Sequence, residues 1–173
     1  GRDESRANAL GAEVEAQQAL FHAETFAANV EEFKGELQAA RARYTRALAI
    51  AESIADNSGL LAAGYSHLGM VLLKIGDLDL AIDYIRRGLE LSEQRGDTVG
   101  PLYDRINLAY ALTVQGRFEA AEELAVDGLA VAERMHHAYL IAGLSAAAGD
   151  AVFRKGALDL AEALALRSLL QEE

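Results

Sequence analysis

A glycine recurs at positions 35, 76, 116 and 156, spaced 41, 40 and 40 residues apart. Each is followed five residues later by an alanine: Ala40, Ala81, Ala121 and Ala161. The stretches around them read FKGELQAA, KIGDLDLA, VQGRFEAA and RKGALDLA. Self-similarity at a fixed period of this size marks stacked structural units, and it narrows the fold more than any other feature of the chain.

Further columns keep the same register. Two residues past each glycine stands a large apolar residue: Leu37, Leu78, Phe118, Leu158. Seven past each alanine stands a small one, Ala47, Gly88, Gly128 or Ser168, and the next residue is always leucine: Leu48, Leu89, Leu129, Leu169. Seven before each glycine stands Ala28, Gly69, Ala109 or Gly149. Positions i, i+7 and i+8 share one helical face, so the alanine, the small residue and the leucine form a stripe on a helix that follows the glycine. The stretch before the glycine has its own stripe, as in Tyr65, Leu68, Gly69 and Leu72. Each repeat therefore reads as two helices joined by a turn at glycine, a residue that tolerates a left-handed backbone. The small residues let the two axes approach closely.

Composition agrees. Alanine and leucine abound, Pro101 is the single proline, and 51% of residues are hydrophobic, which favours helix and a buried core in one domain of 173 residues. Helices are predicted near 14–34, 36–56, 60–75, 77–95, 101–115, 117–136, 139–155 and 157–171. Pro101 suits the first turn of its helix. Residues 1–17 are read as a leading segment, with a helix carried by Leu10 and Val14. The first repeat is the least regular: Glu31 falls where later repeats have Leu72, Leu112 and Val152. A turn longer by one residue would put Phe26, Ala27 and Val30 on the stripe, and that register fits the apolar pattern better.

Residues 65–89, YSHLGMVLLKIGDLDLAIDYIRRGL, resemble the tetratricopeptide repeat: Tyr65, Leu68, Gly69, Leu72, Ala81 and Gly88 fall on its pattern positions. The third repeat matches through Leu108, Ala109, Leu112, Ala121 and Gly128, with Arg105 in place of the expected aromatic; the fourth matches through Gly149, Val152, Ala161 and Ser168. The period of 40 is longer than the usual 34, and the proline that commonly ends the second helix is missing. Long repeats of this kind resemble those of MalT-type bacterial regulators and kinesin light chains. The resemblance implies an all-α, right-handed superhelix (an α-solenoid) of four helix pairs, at about 18–58, 59–98, 99–138 and 139–173, in a single domain over 1–173.

The chemistry-bearing residues are few. The net charge of −11 opposes direct contact with nucleic-acid phosphates. Without cysteine there is no disulfide, thiolate zinc site or cysteine nucleophile, which suits a cytoplasmic setting. No apolar run is read as a membrane span, and GRDESRANAL lacks the apolar core of a signal peptide and reads as a cut end. Glu133-x-x-His136 has the spacing of half a di-iron site, but no second Glu-x-x-His exists, so His136 and His137 read as an exposed inter-repeat turn. Asp77, Asp79 and Asp83 suit the first turns of a helix, where acid complements the dipole. No catalytic residue, metal site or cofactor is expected, and the chain does not read as an enzyme.

What remains is a surface. In such a superhelix the first helices line a groove. The resemblance carries its groove positions onto Ala63, Ser66, Met70, Leu73 and Lys74 in the second repeat. In the third they are Tyr103, Ile106, Tyr110, Thr113 and Val114, and in the fourth Gly143, Ala146, Asp150, Phe153 and Arg154. Asn29 and Phe33 are the candidates in the first. Apolar and aromatic residues beside Lys74 and Arg154 suit a peptide or helix of a protein partner, although stacking between repeats would also bury them. The expected role is a non-catalytic interaction scaffold; the alternative is a ligand-sensing or regulatory arm of a bacterial transcriptional or signalling regulator. The last predicted helix, 157–171, contains ALDLAEALALRSLL and is apolar on nearly every side. A terminal helix should be polar outside, so this one is expected to meet a further repeat, or a second copy in a homo-oligomer, or to be buried more deeply within the chain.

Overall fold

A computed structural model describes residues 2–54 and 57–170. Those residues form eight α-helices and no strand: α1 (Arg2–Phe33), α2 (Leu37–Ser53), α3 (Ser58–Ile75), α4 (Leu78–Gln94), α5 (Gly100–Val114), α6 (Phe118–Arg134), α7 (Ala138–Arg154) and α8 (Leu158–Leu169). The predicted pairs are thus present, and the fold is an all-α helical repeat. The chain packs as two compact units, one running to Leu91 and the other starting at Ser92, so the division falls within α4.

One hydrogen bond recurs at six turns. At Gly76, whose φ is +93°, the next N–H, that of Asp77, donates to the Leu72 carbonyl at 3.0 Å. The same bond joins Glu36 to Glu31, Arg117 to Leu112 and Ala157 to Val152 within pairs, and Asp97 to Ser92 and His137 to Ala132 between pairs. It satisfies a carbonyl that the helix end leaves unpaired, and it needs a left-handed residue before the donor. His136 supplies that residue at the last inter-pair turn, with φ +52°, where the corresponding turn 40 residues earlier has Gly96 at +73°. His137 then caps α7: its Nδ1 accepts from Leu140 N–H at 3.4 Å.

The small-residue columns lie where helices touch. Ala28, Ala40, Ala81, Ala109 and Ala121 have no exposed surface. A methyl group added at Gly69 would sit 3.0 Å from Ile85 N and 3.2 Å from the Ala81 carbonyl; one at Gly88 would sit 3.2 Å from the Ala62 carbonyl. In unit 1, Tyr44, Leu48, Leu68, Val71 and Leu72 form a core with Ala28, Ala40 and Ala81. In unit 2, Leu102, Leu129, Leu140, Ile141 and Leu144 do the same.

Three sequence readings are corrected. Residues 2–13 belong to α1 without a break instead of forming a separate leading helix. The shifted register of the first repeat is wrong: Ala28 is buried, while Phe26 and Val30 are 71% and 39% exposed. Glu31 keeps the stripe position because Arg43 on α2 donates to it at 2.5 Å and also reaches Glu24 at 3.3 Å. A carboxylate at an apolar position is tolerated when a guanidinium meets it. Finally, α3 is long and apolar enough to cross a membrane by length and composition alone, contrary to the sequence reading. Here it is a core helix, with Ala62, Gly64, Leu68, Gly69, Val71 and Leu72 buried against its neighbours.

Candidate protein-interaction site

The first helices of the two pairs in unit 2, α5 and α7, enclose a groove of about 540 Å³. From α5 come Ile106, Asn107 and Tyr110, one helical turn of residues; from α7 come Gly143, Ala146, Ala147, Asp150 and Arg154. The groove exists because one wall is tall and the other low. Gly143 and the two alanines keep α7 thin on this side, and Ile106 Cδ1 lies 2.7 Å from where a Gly143 side chain would begin. Tyr110 is 52% exposed. The exposed rings of Tyr103 and Tyr139 meet with centroids 5.9 Å apart. Arg154 Nε donates to Asp150 at 3.1 Å, an i,i+4 pair that leaves this part of the wall without net charge.

The predicted groove residues are divided by the structure. Tyr103 and Val114 are exposed on α5, and Ile106, Tyr110, Gly143, Ala146, Asp150 and Arg154 come together around the groove. Thr113 does not face it: it is 2% exposed, and its hydroxyl donates to the Ala109 carbonyl at 2.9 Å. Phe153 is exposed but lines a different groove, between α7 and α8. Sequence reasoning missed Asn107 and Ala147. The signal for Ala147 was its spacing of four from Gly143, which puts both on one helical face.

In unit 1 the corresponding face of α1 and α3 is occupied by its own polar network. Tyr44 donates to Asn29 and, at 3.1 Å, to Glu32. His67 stacks on the Tyr44 ring at 5.4 Å, and Lys74 pairs with Glu32. Burial holds the His67 imidazole below its ordinary value against the opposing pull of Glu32, and burial raises the Tyr44 phenol. Leu73 packs on the core, and Ser66 and Met70 are half-buried; with Lys74 engaged, these four residues line no described cavity. Among the described residues no group of three or more His, Asp or Glu side chains comes together as a metal site would require. The arrangement in unit 2 can hold an extended or helical apolar segment, with Asn107 offering an amide that both donates and accepts.

Models of the tetratricopeptide repeat match residues 20–94 and 105–136. No curated protein matches the chain by sequence. Among solved structures, BtubC (BKLC) from P. vanneervenii is similar with a TM-score of 0.79 at 22% identity, over 98% of this chain and 68% of that one. The Rap conjugation gene regulator of plasmid pLS20, solved in complex with the Phr* peptide, is similar with a TM-score of 0.75 at 19% identity. That match covers 86% of this chain but 41% of the regulator. A putative kinesin light chain with TPR-like repeats from Podosopora anserina gives 0.73 at 15% identity, over 88% of this chain and 74% of that one. At these identities the likeness is one of fold.

Proposed function

The chain belongs to the tetratricopeptide-repeat family, and from that premise we propose that it is a non-catalytic scaffold that takes a peptide segment of a partner protein in the α5/α7 groove. The observation that carries this reading is the groove itself: an apolar trough of about 540 Å³ with a polar amide, Asn107, among Ile106, Tyr110 and the Gly143–Ala147 wall. Apolar surface supplies the driving force, and a single amide can pair with the backbone of an extended peptide, which suits segments of varied sequence. Tyrosine gives contact area at low entropic cost. Because Asp150 neutralises Arg154, a terminal carboxylate finds no free cation in this groove, and an internal apolar segment fits better. The Rap regulator in its complex with the Phr* peptide supports peptide as the partner class. A cytoplasmic, bacterial setting belongs to the same proposal, on the absence of cysteine and the alanine-rich composition.

The test is a displayed peptide library panned on the chain, with affinities of the selected peptides measured by calorimetry. Tyr110→Ala and Asn107→Ala should each weaken binding about tenfold or more, whereas Val126→Ala, an exposed apolar position on α6, should not. Unaltered affinity in both groove variants, with helicity retained, would remove the assignment. The second reading, a ligand-sensing arm of a bacterial regulator, draws on the same Rap likeness. Saturable binding of soluble metabolites, with no peptide selected, would favour it.

A further inference from the structure

The repeat allows each helix to be compared with its equivalent 40 residues away. In unit 2, α7 fills a seat formed by α5 and α6: Leu140 and Leu144 pack with Leu102 and Leu129, and Leu144 Cδ2 lies 2.9 Å from where a Gly128 side chain would begin. Thr113, Ala125 and Leu129 in that seat are 2%, 0% and 5% exposed. Forty residues on, their counterparts Phe153, Ala165 and Leu169 line an open groove of about 640 Å³ between α7 and α8. Phe153 and Leu169 are 59% and 60% exposed there. The seat is built, with the same small-residue floor through Gly149, Ala161 and Ala165, and no described helix lies in it.

The complementary face is also open on this chain. Val71, Ala111 and Ala151 occupy one position in α3, α5 and α7, and all have no exposed surface. Their equivalent in α1 is Val30, 39% exposed, and Leu20, 49% exposed, is the equivalent of Pro101 and Ile141, which are buried. With Ala23 and Ala27 between them, at spacings of three, four and three, they make a continuous apolar stripe along one helical face.

We propose that the Leu20–Ala23–Ala27–Val30 face of α1 in one copy seats in the α7/α8 groove of a second copy, repeating between chains the packing that α7 makes on α5 and α6 within one. The chemistry of the occupant is set by the seat, which takes a first helix of this repeat type; α1 is such a helix with its outward face uncovered. Two different surfaces meet, so the contact is head-to-tail and builds a closed ring or an open row. Each copy carries a net charge of −11, so association strengthens as salt screens the repulsion.

Sedimentation velocity on the full chain, from about 5 µM to about 500 µM at low and high salt, reads the mass directly. The expected result is a mass that rises with concentration and rises further with salt. Val30→Glu blocks the α1 face and Leu169→Glu blocks the groove, and both side chains are exposed. Each variant alone should be monomeric, and an equimolar mixture should form a 1:1 dimer, because each retains the surface the other lacks. Ala165→Glu repeats the groove arm at a second position. Both variants lie outside the α5/α7 groove, so peptide binding there should persist. A monomer at every concentration, continued self-association of Val30→Glu (the sign of α8 pairing with α8), or a mixture that does not pair would each overturn the proposal.

Discussion

Replacing glycine by alanine at three sites should give three different results, and the difference measures close helix packing. At Gly69 the added methyl group would meet Ile85 Cγ1 at 2.6 Å, Ile85 N at 3.0 Å and the Ala81 carbonyl at 3.2 Å. Two of these three atoms are backbone, so α4 itself must shift. Overpacking of this kind costs about 2–3 kcal/mol, and the gain in helix propensity returns about 1 kcal/mol. The net loss is then about 1–2 kcal/mol. At Gly143 the methyl group meets the end of the Ile106 side chain at 2.7 Å, and that end can swing into the open groove. The two contributions then nearly cancel, within about 0.5 kcal/mol. At Gly11, inside α1, nothing lies within 4 Å, so propensity acts alone and Gly11→Ala gains up to about 1 kcal/mol. Thermal unfolding followed by circular dichroism should lower Tm for Gly69→Ala by about 3–6 °C and raise it for Gly11→Ala. If Gly69→Ala were as stable as the parent, the small residues would not be what sets the helix spacing, and the packing argument would fail.

Further predictions follow from particular contacts. His136→Gly should stabilise the chain by about 0.5 kcal/mol in chemical denaturation, because the left-handed turn costs histidine more than it costs glycine; Gly96→Ala, at the equivalent turn, should destabilise it by about 1 kcal/mol. The depressed His67 value means the unfolded chain binds the proton more readily. This residue's contribution is full above the ordinary imidazole value of 6.5 and is lost as pH falls from there through the lower folded value. His67→Phe should flatten stability against pH in that window, and an unchanged slope would contradict the assignment. Glu31→Leu alone should destabilise unit 1 by leaving Arg43 with Glu24 only, and Glu31→Leu with Arg43→Leu should recover stability beyond the single variant, as read by urea midpoints.

The sequence determined the helix pairs, their period, the turn glycines and the small-residue columns, because each follows from local backbone chemistry and from which residues share one helical face. Ala28, Gly69, Ala109 and Gly149 could be placed on a contact face with no coordinates at all. Periodicity names the face but not the neighbour that covers it, and there the tertiary structure decided. Glu31 could stay on the stripe only because Arg43, twelve residues away on α2, turns towards it. Thr113 and Phe153 hold equivalent positions 40 residues apart, yet one is buried and the other stands in an open groove. Asn107 entered the candidate site because α7 brings a glycine and two alanines opposite α5. Burial and pairing arise between residues far apart in the chain, and no spacing within a single helix encodes them.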